Sequence, residues 1–365
     1  MTKNELWFWL TNAKGIGNKK ISHLLRFFHR IENIYGASEM EICSVPGIHI
    51  RDAKALATEK ETYKKKYERL KRQGIILVTR EDAYYPERLR NLPDAPYVLY
   101  LLGKMPEEGK KSIAVIGARD CSVYGKEMAL WFSRELSQAG IQIISGMARG
   151  VDGYAHTGVL KAYGEGAAST YAVLGSGIDI CYPSEHYWMY EQIQRNGGII
   201  SEYGMGVPAL PGQFPMRNRI ISGLADGILV IEAKERSGSL ITADLGLEQG
   251  RDIFAVPGRV GDILSYGCNN LIKMGAFLVQ SPEDILNHYH FAKETKGKDS
   301  KKNNYMLETK EKIVYANLSY NPKHIEELML DTKFSLSEIM ESLVSLELKG
   351  YIKQTMKNFY IVCSD

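Results

Sequence analysis

Cysteine is scarce in this sequence. Only 5 cysteines occur among 365 residues, and no two of them form a Cys-x-x-Cys pair. An odd, widely spaced set predicts neither a disulfide framework nor a zinc knuckle, so we expect no metal site and a reducing compartment. Long apolar runs are also absent, since no stretch approaches the roughly 20 apolar residues of a membrane span and no cleavage-site pattern follows the N-terminus. We therefore expect a cytoplasmic protein with no membrane partner.

Several catalytic and cofactor motifs are missing. No Gly-x-x-x-x-Gly-Lys-Ser/Thr occurs, which argues against a P-loop ATPase. Gly175 and Gly177 begin a dinucleotide fingerprint, but Ile180 occupies the third position, where Gly or Ala belongs. His156 lies four residues after Asp152 on a predicted helix, and helix packing or capping explains this pair better than acid–base catalysis does. We expect no catalytic residue and no cofactor.

Length and charge predict three folded units. At about 150 residues per domain, the length allows two to three domains. Residues 1–72 carry 15 basic and 8 acidic side chains, whereas residues 73–290 carry 19 basic and 24 acidic ones. The stretch 293–302 has no apolar residue, which predicts a solvated linker at 291–305. Residues 306–365 then form a small C-terminal domain.

Six short β-branched runs predict the fold of the middle domain. They recur at the spacing of α/β proteins and are nearly all apolar, as parallel strands covered on both faces should be. The segments between them are long enough for crossover helices. The sequence therefore predicts an α/β domain with a doubly wound, Rossmann-like parallel sheet at 73–290. The runs are 112–119, 141–146, 170–177, 197–204, 226–233 and 252–258.

Glycine, serine and arginine cluster where these strands end. Open α/β sheets bind ligands beyond the carboxyl ends of their strands, and a helix that starts there offers free N–H groups to an anion. Arginine suits bidentate phosphate contacts. The alternative is that these arginines pair with local carboxylates such as Asp152 or Glu202. The candidate phosphate-binding residues are Gly117, Arg119, Ser145, Gly146, Gly175, Arg217, Asn218, Arg219, Ser237, Gly238 and Ser239.

An aromatic side chain beside these phosphates would stack on a base. Stacking tolerates any base sequence and is common where proteins hold single strands. Tyr187, just past Tyr182 and Pro183, is the candidate platform. A buried core tyrosine at this position is the alternative.

Residues 1–72 resemble a pair of helix-hairpin-helix units in a SAM-like helical domain. At 11–28 and 43–56, a glycine-containing turn precedes an amphipathic helix with basic residues in its first turns. Such hairpins hold phosphate through N–H groups without contacting bases. The first turn contains Gly-Ile-Gly, whereas the second ends in His49 and is the weaker candidate for DNA contact. A purely structural helical domain is the alternative.

Residues 306–365 have the pattern of a winged helix. Ser335 begins a capping box, Asn321 and Pro322 predict the start of an earlier helix, and two strand-like runs near the end would form the wing. The outer face of the last helix is acidic, so phosphates would repel it. We expect a partner-binding or regulatory module. The acidic side chains are Glu338, Glu341 and Glu347.

Eight segments of the middle domain resemble a known family when taken together. They follow one another between residues 110 and 290 in the order found in the DNA-processing protein A family, also called Smf, and the flanking modules agree with the family's layout. The segments are GARDCSVYG (117–125), SGMARGVDGYAH (145–156), GSGIDICYP (175–183), SEYGMG (201–206), FPMRNRIISGL (214–224), EAKERSGSLITA (232–243), GRDIFAVPG (250–258) and SYGCNNLIKMGA (265–276).

The resemblance implies a non-catalytic protein that binds single-stranded DNA. It further implies that the protein protects incoming single strands, promotes loading of the RecA recombinase on them in natural transformation, and forms a homodimer through its Rossmann-like domain. Two residues differ from the family pattern, namely Arg149, which replaces an apolar residue, and His186, which replaces an asparagine. The motif places single-strand phosphate binding on Arg119, Ser145, Gly146, Arg217, Asn218 and Arg219.

Two other functions on the same scaffold stay open. A nucleoside-monophosphate hydrolase would carry a Pro-Gly-Gly-x-Gly-Thr-x-x-Glu loop, whereas residues 237–242 here have neither the Pro-Gly-Gly nor a glutamate at that spacing. A nucleotide-binding sensor would use the same phosphate pocket for a monomer.

Overall fold

The computed structural model describes residues 1–57, 60–162, 167–291 and 307–363. Most of the linker that we predict at 291–305 therefore lies outside the described residues. Six helices occupy the N-terminal part: α1 Lys3–Asn12, α2 Asn18–Phe28, α3 Ile31–Gly36, α4 Glu39–Cys43, α5 Ile50–Ala57 and α6 Lys60–Arg72. Among the described helices, none combines the length and the apolar character that crossing a bilayer requires.

The middle of the chain alternates strands and helices. Its strands are β1 Ile76–Thr79, β2 Val98–Gly103, β3 Ser112–Ile116, β4 Gln142–Ser145, β5 Thr170–Leu174, β6 Gly198–Ser201, β7 Gly227–Val230, β8 Asp252–Ala255 and β9 Phe277–Leu278. Its helices are α7 Glu87–Arg90, α8 Val123–Gln138, α9 Val151–Ala162, α10 Tyr187–Asn196, α11 Gln213–Leu224, α12 Gly238–Glu248, α13 Tyr266–Lys273 and α14 Pro282–His288.

These nine strands form one sheet in the order β1-β2-β6-β5-β4-β3-β7-β8-β9. The seven strands from β6 to β9 in this order are parallel, while β2 runs antiparallel to β6 and to β1. The prediction of a doubly wound parallel sheet is confirmed, and all six predicted runs form strands. Because β4, β5 and β6 lie on one side of β3 and β7 lies on the other, the strand order reverses between β3 and β7.

Helices cover both faces of the sheet. One face packs against α8, α9 and α14, and the other packs against α7, α11, α12 and α13. The N-terminal helices and α10 share a third core with β2, β5 and β6. Trp7 of α1 stacks on Tyr97 with ring centroids 5.6 Å apart, and the Asn12 side-chain amide donates a hydrogen bond to the Tyr100 hydroxyl at 2.5 Å. The N-terminal helices are therefore joined to the sheet through aromatic packing.

The C-terminal residues form a winged helix. Its elements are α15 Thr309–Ala316, β10 Lys323–His324, α16 Ile325–Thr332, α17 Leu336–Leu348, β11 Ile352–Met356 and β12 Phe359–Val362. The capping box at Ser335 is present. The predicted cap at Asn321 is wrong, because β10 precedes α16 and His324 is the N-cap residue of that helix. This domain contacts the middle one through Tyr320 and Tyr124, whose rings meet edge to face at 5.8 Å.

Candidate nucleic-acid interface

A cleft of about 570 Å³ opens where the strand order reverses. The loop after β3 and the loop after β7 form two of its walls, and the N-terminal halves of α11 and α12 form the others. This is the position at which open α/β sheets bind ligands, because the chain diverges to both sides there and leaves a crevice. Among the candidate residues, Gly117, Arg119, Arg217, Asn218, Ser237, Gly238 and Ser239 line it.

Arg119 and Phe214 form one wall of the cleft. Arg119 follows β3 directly, and its exposed guanidinium lies over the Phe214 ring at 5.6 Å from the ring centroid. Within the described part of the chain, no carboxylate lies at ion-pair distance from this guanidinium. A guanidinium supported by an aromatic face and left without an anion keeps its hydrogen-bond donors available for a phosphate.

Arg217 lies at the base of the cleft and is mainly structural. Its side chain is buried, with 5% of its surface exposed, and Nη1 donates to the carbonyl oxygens of Gly146 and Val173, the first at 2.8 Å. These carbonyls end β4 and β5, so the guanidinium ties α11 to the ends of two strands. Burial lowers the pKa of Arg217 to about 10, and the nearby Asp152 carboxylate opposes that shift.

The start of α12 supplies the other wall. Ser237 is the N-cap residue, and its hydroxyl accepts a hydrogen bond from the backbone N–H of Ser239 at 3.4 Å. Gly238 is exposed at this end. Free N–H groups and the positive end of the helix dipole favour an anion here.

Two cations of the cleft, Lys234 and Arg236, are absent from the sequence candidates. Both are exposed and lie between the end of β7 and the start of α12. The signal was available, because the loop after β7 is one of the two loops at the reversal of strand order, and ligands contact both. With Arg119 they place three exposed cations at the mouth of the cleft, against the one exposed carboxylate of Asp120 among its lining residues.

Three candidate residues lie behind the cleft. The Ser145 hydroxyl donates to the Val115 carbonyl oxygen at 2.7 Å, which joins β4 to β3 and leaves the side chain fully buried. Gly146 and Gly175 are needed for close packing, since a Cβ would lie 2.6 Å from the Arg217 guanidinium at the first and 2.7 Å from the Phe214 ring at the second. These residues shape the cleft by positioning Arg217 and Phe214.

The structure does not bring Arg219 to the cleft. Its Nη2 donates to both carboxylate oxygens of Glu202 at 2.7 and 2.6 Å, which is the kind of pairing that the alternative predicts. The physical reason is helix geometry. At 3.6 residues per turn, side chains two positions apart on α11 diverge by about 200°, so Arg217 and Arg219 face opposite sides.

The alternative of a buried Tyr187 is wrong, because its side chain is exposed. Tyr187 does not line the cleft either. Its side chain is exposed and stacks on Tyr190, with centroids 6.4 Å apart. Tyr182 is the tyrosine at the cleft, where its half-exposed ring lies 5.5 Å from Phe214. The aromatic side chains at the cleft are therefore Tyr182 and Phe214, and Tyr187 is not among them.

His156 and Asp152 have packing roles on α9. The His156 Nδ1 lies 2.7 Å from the Thr170 hydroxyl in a fully buried site, and burial lowers the pKa of the imidazole to about 3. Asp152 accepts a hydrogen bond from the Gly146 N–H at 3.2 Å, and burial raises the pKa of its carboxyl. Among the described residues, no cluster of His, Cys, Asp and Glu could hold a metal ion.

The two residues that differ from the family pattern lie beside the cleft. Arg149 forms a two-pronged ion pair with Glu185, with contacts of 2.6 and 2.8 Å. The His186 Nδ1 lies 3.0 Å from the Met147 carbonyl oxygen. His186 therefore supports the loop between β4 and α9.

Fold and site together define a Rossmann-like α/β protein with an arginine- and lysine-lined cleft at its switch point and an appended winged helix. The family model described as DNA recombination-mediator protein A matches residues 76–290, and the model described as the DprA winged helix domain matches residues 300–355. The chain belongs to the DNA recombination-mediator protein A (DprA/Smf) family, which confirms the resemblance found in its sequence.

Individual relatives agree along most of the chain. Protein Smf of Escherichia coli is 31% identical over 360 residues, which cover 96% of this chain and 94% of that protein. The X-ray structure of DNA processing protein A from Streptococcus pneumoniae matches with a TM-score of 0.69 and 32% identity, and covers 79% of this chain and 98% of that one. A Helicobacter pylori DNA processing protein A structure, described by its single-stranded DNA binding mode, matches with a TM-score of 0.52 and 28% identity over 59% of this chain and 95% of that one.

Proposed function

We propose that this protein binds single-stranded DNA in the switch-point cleft without preference for base sequence. The observation that carries the proposal is the placement of Arg119, Lys234 and Arg236 around the open start of α12, beside the ring of Phe214. Cations and helix N–H groups hold phosphates of any sequence, and a ring stacks on any base. The H. pylori relative, whose structure is described by its single-stranded DNA binding mode, supports this proposal.

The hydrogen-bond donors and cations of the cleft match successive phosphates of one strand. A phosphate at the start of α12 would accept hydrogen bonds from the N–H groups near Gly238, with Arg236 and Lys234 balancing its charge. The next phosphate would meet Arg119, while the intervening base stacks on Tyr182 and Phe214. Arg217 supports this arrangement from below because it positions the ends of β4 and β5.

We further propose that binding is not coupled to catalysis. Asp152, the buried carboxyl of the cleft, is engaged with the Gly146 N–H, and the buried His156 bonds to Thr170 rather than lining the cleft. A strand held in this way would be protected and presented to the RecA recombinase, as the family resemblance implies. The test is whether the protein shortens the lag before RecA assembles on single-stranded DNA coated with a single-strand-binding protein.

A homodimer is the assembly that we propose. In the described part of the chain, β9 is an edge strand that pairs with β8 alone, and its residues Phe277 and Leu278 are about half exposed. The neighbouring Met274 is three-quarters exposed. An open apolar edge invites pairing with another chain. Light scattering of the Leu278→Arg protein should show a monomer where the unmodified protein shows a dimer.

The binding proposal is tested by salt titration. A labelled single-stranded oligonucleotide is titrated by fluorescence anisotropy into the unmodified protein, the Arg119→Ala protein and the Arg236→Ala protein at several salt concentrations. Each variant should flatten the dependence of log K on log salt by about 0.7, the value for one single-strand phosphate contact. Arg195→Ala is the matched control, since Arg195 is exposed on α10 outside the cleft.

The remaining outcomes separate the alternatives. Equal slopes for all proteins would contradict the cleft as the binding site. Displacement of the oligonucleotide by micromolar mononucleotide would favour a nucleotide sensor, and release of a free base from a nucleoside monophosphate would favour the hydrolase.

A further inference from the structure

A second cavity lies on the opposite side of α11 from the cleft. It has a volume of about 480 Å³ and separates α2 of the N-terminal helices from the sheet domain. Met216 and Arg219, which lie in the first two turns of α11, line it, while Phe214, Arg217 and Asn218 face the cleft. One helix therefore forms a wall of both. We call this second cavity the α2 groove.

The α2 groove is rich in cations. Lys19 and Arg26 of α2 lie on one side together with His23, and the other two cations, Arg80 and Arg219, lie on the other side. Positions 19, 23 and 26 share a face of α2 because they are spaced four and three residues apart. In the described residues, neither Lys19 nor Arg26 has a carboxylate at ion-pair distance, and Asp94 is the one acidic side chain among those that line the groove.

Arg219 brings buried hydrogen-bond donors to the groove. Only 4% of the surface of Arg219 is exposed, and its Nη2 donates hydrogen bonds to both carboxylate oxygens of Glu202. Its Nη1 and Nε have no hydrogen-bond partner in the part of the chain that the structure describes, although Asp94 lies 3.4 Å from Nε. A buried donor without an acceptor is costly, and a phosphate oxygen in the groove would satisfy it.

The first hairpin presents its helix start to the same groove. Asn18 and Lys19 of the first turn of α2 line the groove, and the N-cap residue Gly17 has no side chain that could occupy the N–H groups of that turn. The second hairpin differs, because the Asp52 carboxylate accepts the His49 N–H at 2.9 Å. Asp52 also accepts from Lys20 at 2.7 Å and so joins the two hairpins.

We propose that the α2 groove is a second binding site for the phosphodiester backbone of DNA, occupied by the same single strand that fills the cleft. The strand would pass over the start of α11, with its phosphates held by Lys19, Arg26 and Arg219 and by the first turn of α2. This inference rests on the proposed function. The occupant is an unpaired strand because α11 forms a wall of both the groove and the cleft, so the single strand bound in the cleft is the one that reaches the groove.

The test compares a short and a long oligonucleotide. Sites for single strands in other folds span from about 4 to about 16 nucleotides, so an oligonucleotide of about 4 is chosen to occupy the cleft alone and one of about 16 to reach the groove as well. The full-length protein with Lys19→Ala and Arg26→Ala should lose on the order of tenfold in affinity for the long oligonucleotide, and its salt slope should flatten by about 1.4. Its affinity for the short one should not change. Lys65→Ala with Arg69→Ala, which removes the same charge from the exposed face of α6, is the control.

The outcomes distinguish this inference from the proposed function. An unchanged salt slope for the long oligonucleotide, or an equal loss in the α6 control, would overturn the groove and leave the cleft intact. A long duplex that loses as much affinity as the long single strand would also overturn it, because the groove would then not be selective for an unpaired backbone. If Arg119→Ala changes neither oligonucleotide, the cleft itself is contradicted.

Discussion

The Arg217 guanidinium donates a hydrogen bond to the Gly146 carbonyl oxygen at 2.8 Å and thereby joins α11 to the end of β4. Gly146 accepts this contact without a Cβ, which would lie 2.6 Å from Arg217 Nη2. The two residues are 71 positions apart in the chain. An arginine that the sequence suggests for phosphate binding is thus part of the framework that shapes the phosphate site.

Replacement of Arg217 should therefore lower the stability of the folded protein. Arg217→Ala removes the donors of two buried carbonyls and leaves Asp152 without its nearby positive charge, and such a loss costs about 3 kcal/mol. Urea denaturation should show a lower midpoint with an unchanged slope. Arg119→Ala, at an exposed position, should shift the free energy of unfolding by less than about 1 kcal/mol. Equal midpoints for the two variants would contradict the structural role.

Tyr182 should contribute to binding as a stacking surface, and Tyr187 should not. Tyr182→Leu keeps a bulky side chain but removes the ring beside Phe214. The free energy of binding a single strand should therefore weaken by about 1–3 kcal/mol for any base composition. Its salt slope should stay the same, because no charge is lost. Tyr187→Leu serves as the control, since it is similarly exposed and lies outside the cleft. If both variants bind alike, the ring of Tyr182 has no such role.

Gly158 should be required for the packing of α9 on α8. A Cβ at this position would lie 2.5 Å from the Leu130 carbonyl oxygen, which is backbone and cannot rotate away. Gly158→Ala should destabilise the protein by about 1–3 kcal/mol, and at roughly 2–4 °C per kcal/mol its thermal midpoint should fall by several degrees. Gly36→Ala, which has open space around it, should leave the midpoint unchanged or slightly raised. A melt of Gly158→Ala that matches the unmodified protein would refute the close contact.

Stability should fall on mild acidification because of His156. Its pKa is lowered to about 3 by burial, against about 6.5 in an unfolded chain, so between these values the unfolded state binds the extra proton. The stabilisation is complete above about pH 6.5 and is lost as the pH falls toward 3. From pH 7 to pH 5 the loss is about 2 kcal/mol. Denaturation curves of His156→Leu at pH 7 and pH 5 should show a smaller difference in the free energy of unfolding than those of the unmodified protein. An equal difference would contradict the role of His156 in the acid sensitivity.

Local sequence pattern predicted the sheet and the position of the site. Short apolar runs at α/β spacing can bury both faces only as parallel strands between helices, so β3 to β8 follow from composition and spacing. The strands β1, β2 and β9 were missed. The antiparallel pairing of β1 and β2 at the edge of the sheet depends on contacts made across the chain, and β9 has 2 residues, too few for a periodic pattern. The winged helix was predicted, but its helix α16 begins later than the Asn321-Pro322 signal suggests, because β10, which pairs with β12, comes first.

Tertiary structure decided which of the candidate side chains reach the cleft. Arg119, Asn218 and the start of α12 face it, whereas Ser145, Gly146 and Gly175 pack behind it and Arg219 faces the α2 groove. Sequence can place a residue near the carboxyl end of a strand, since that depends on local order alone. The direction of its side chain depends on how helix faces are rotated against the sheet and on which carboxylate lies within reach. The pairing of Arg219 with Glu202, which joins α11 to the end of β6, is set only when the whole domain has folded.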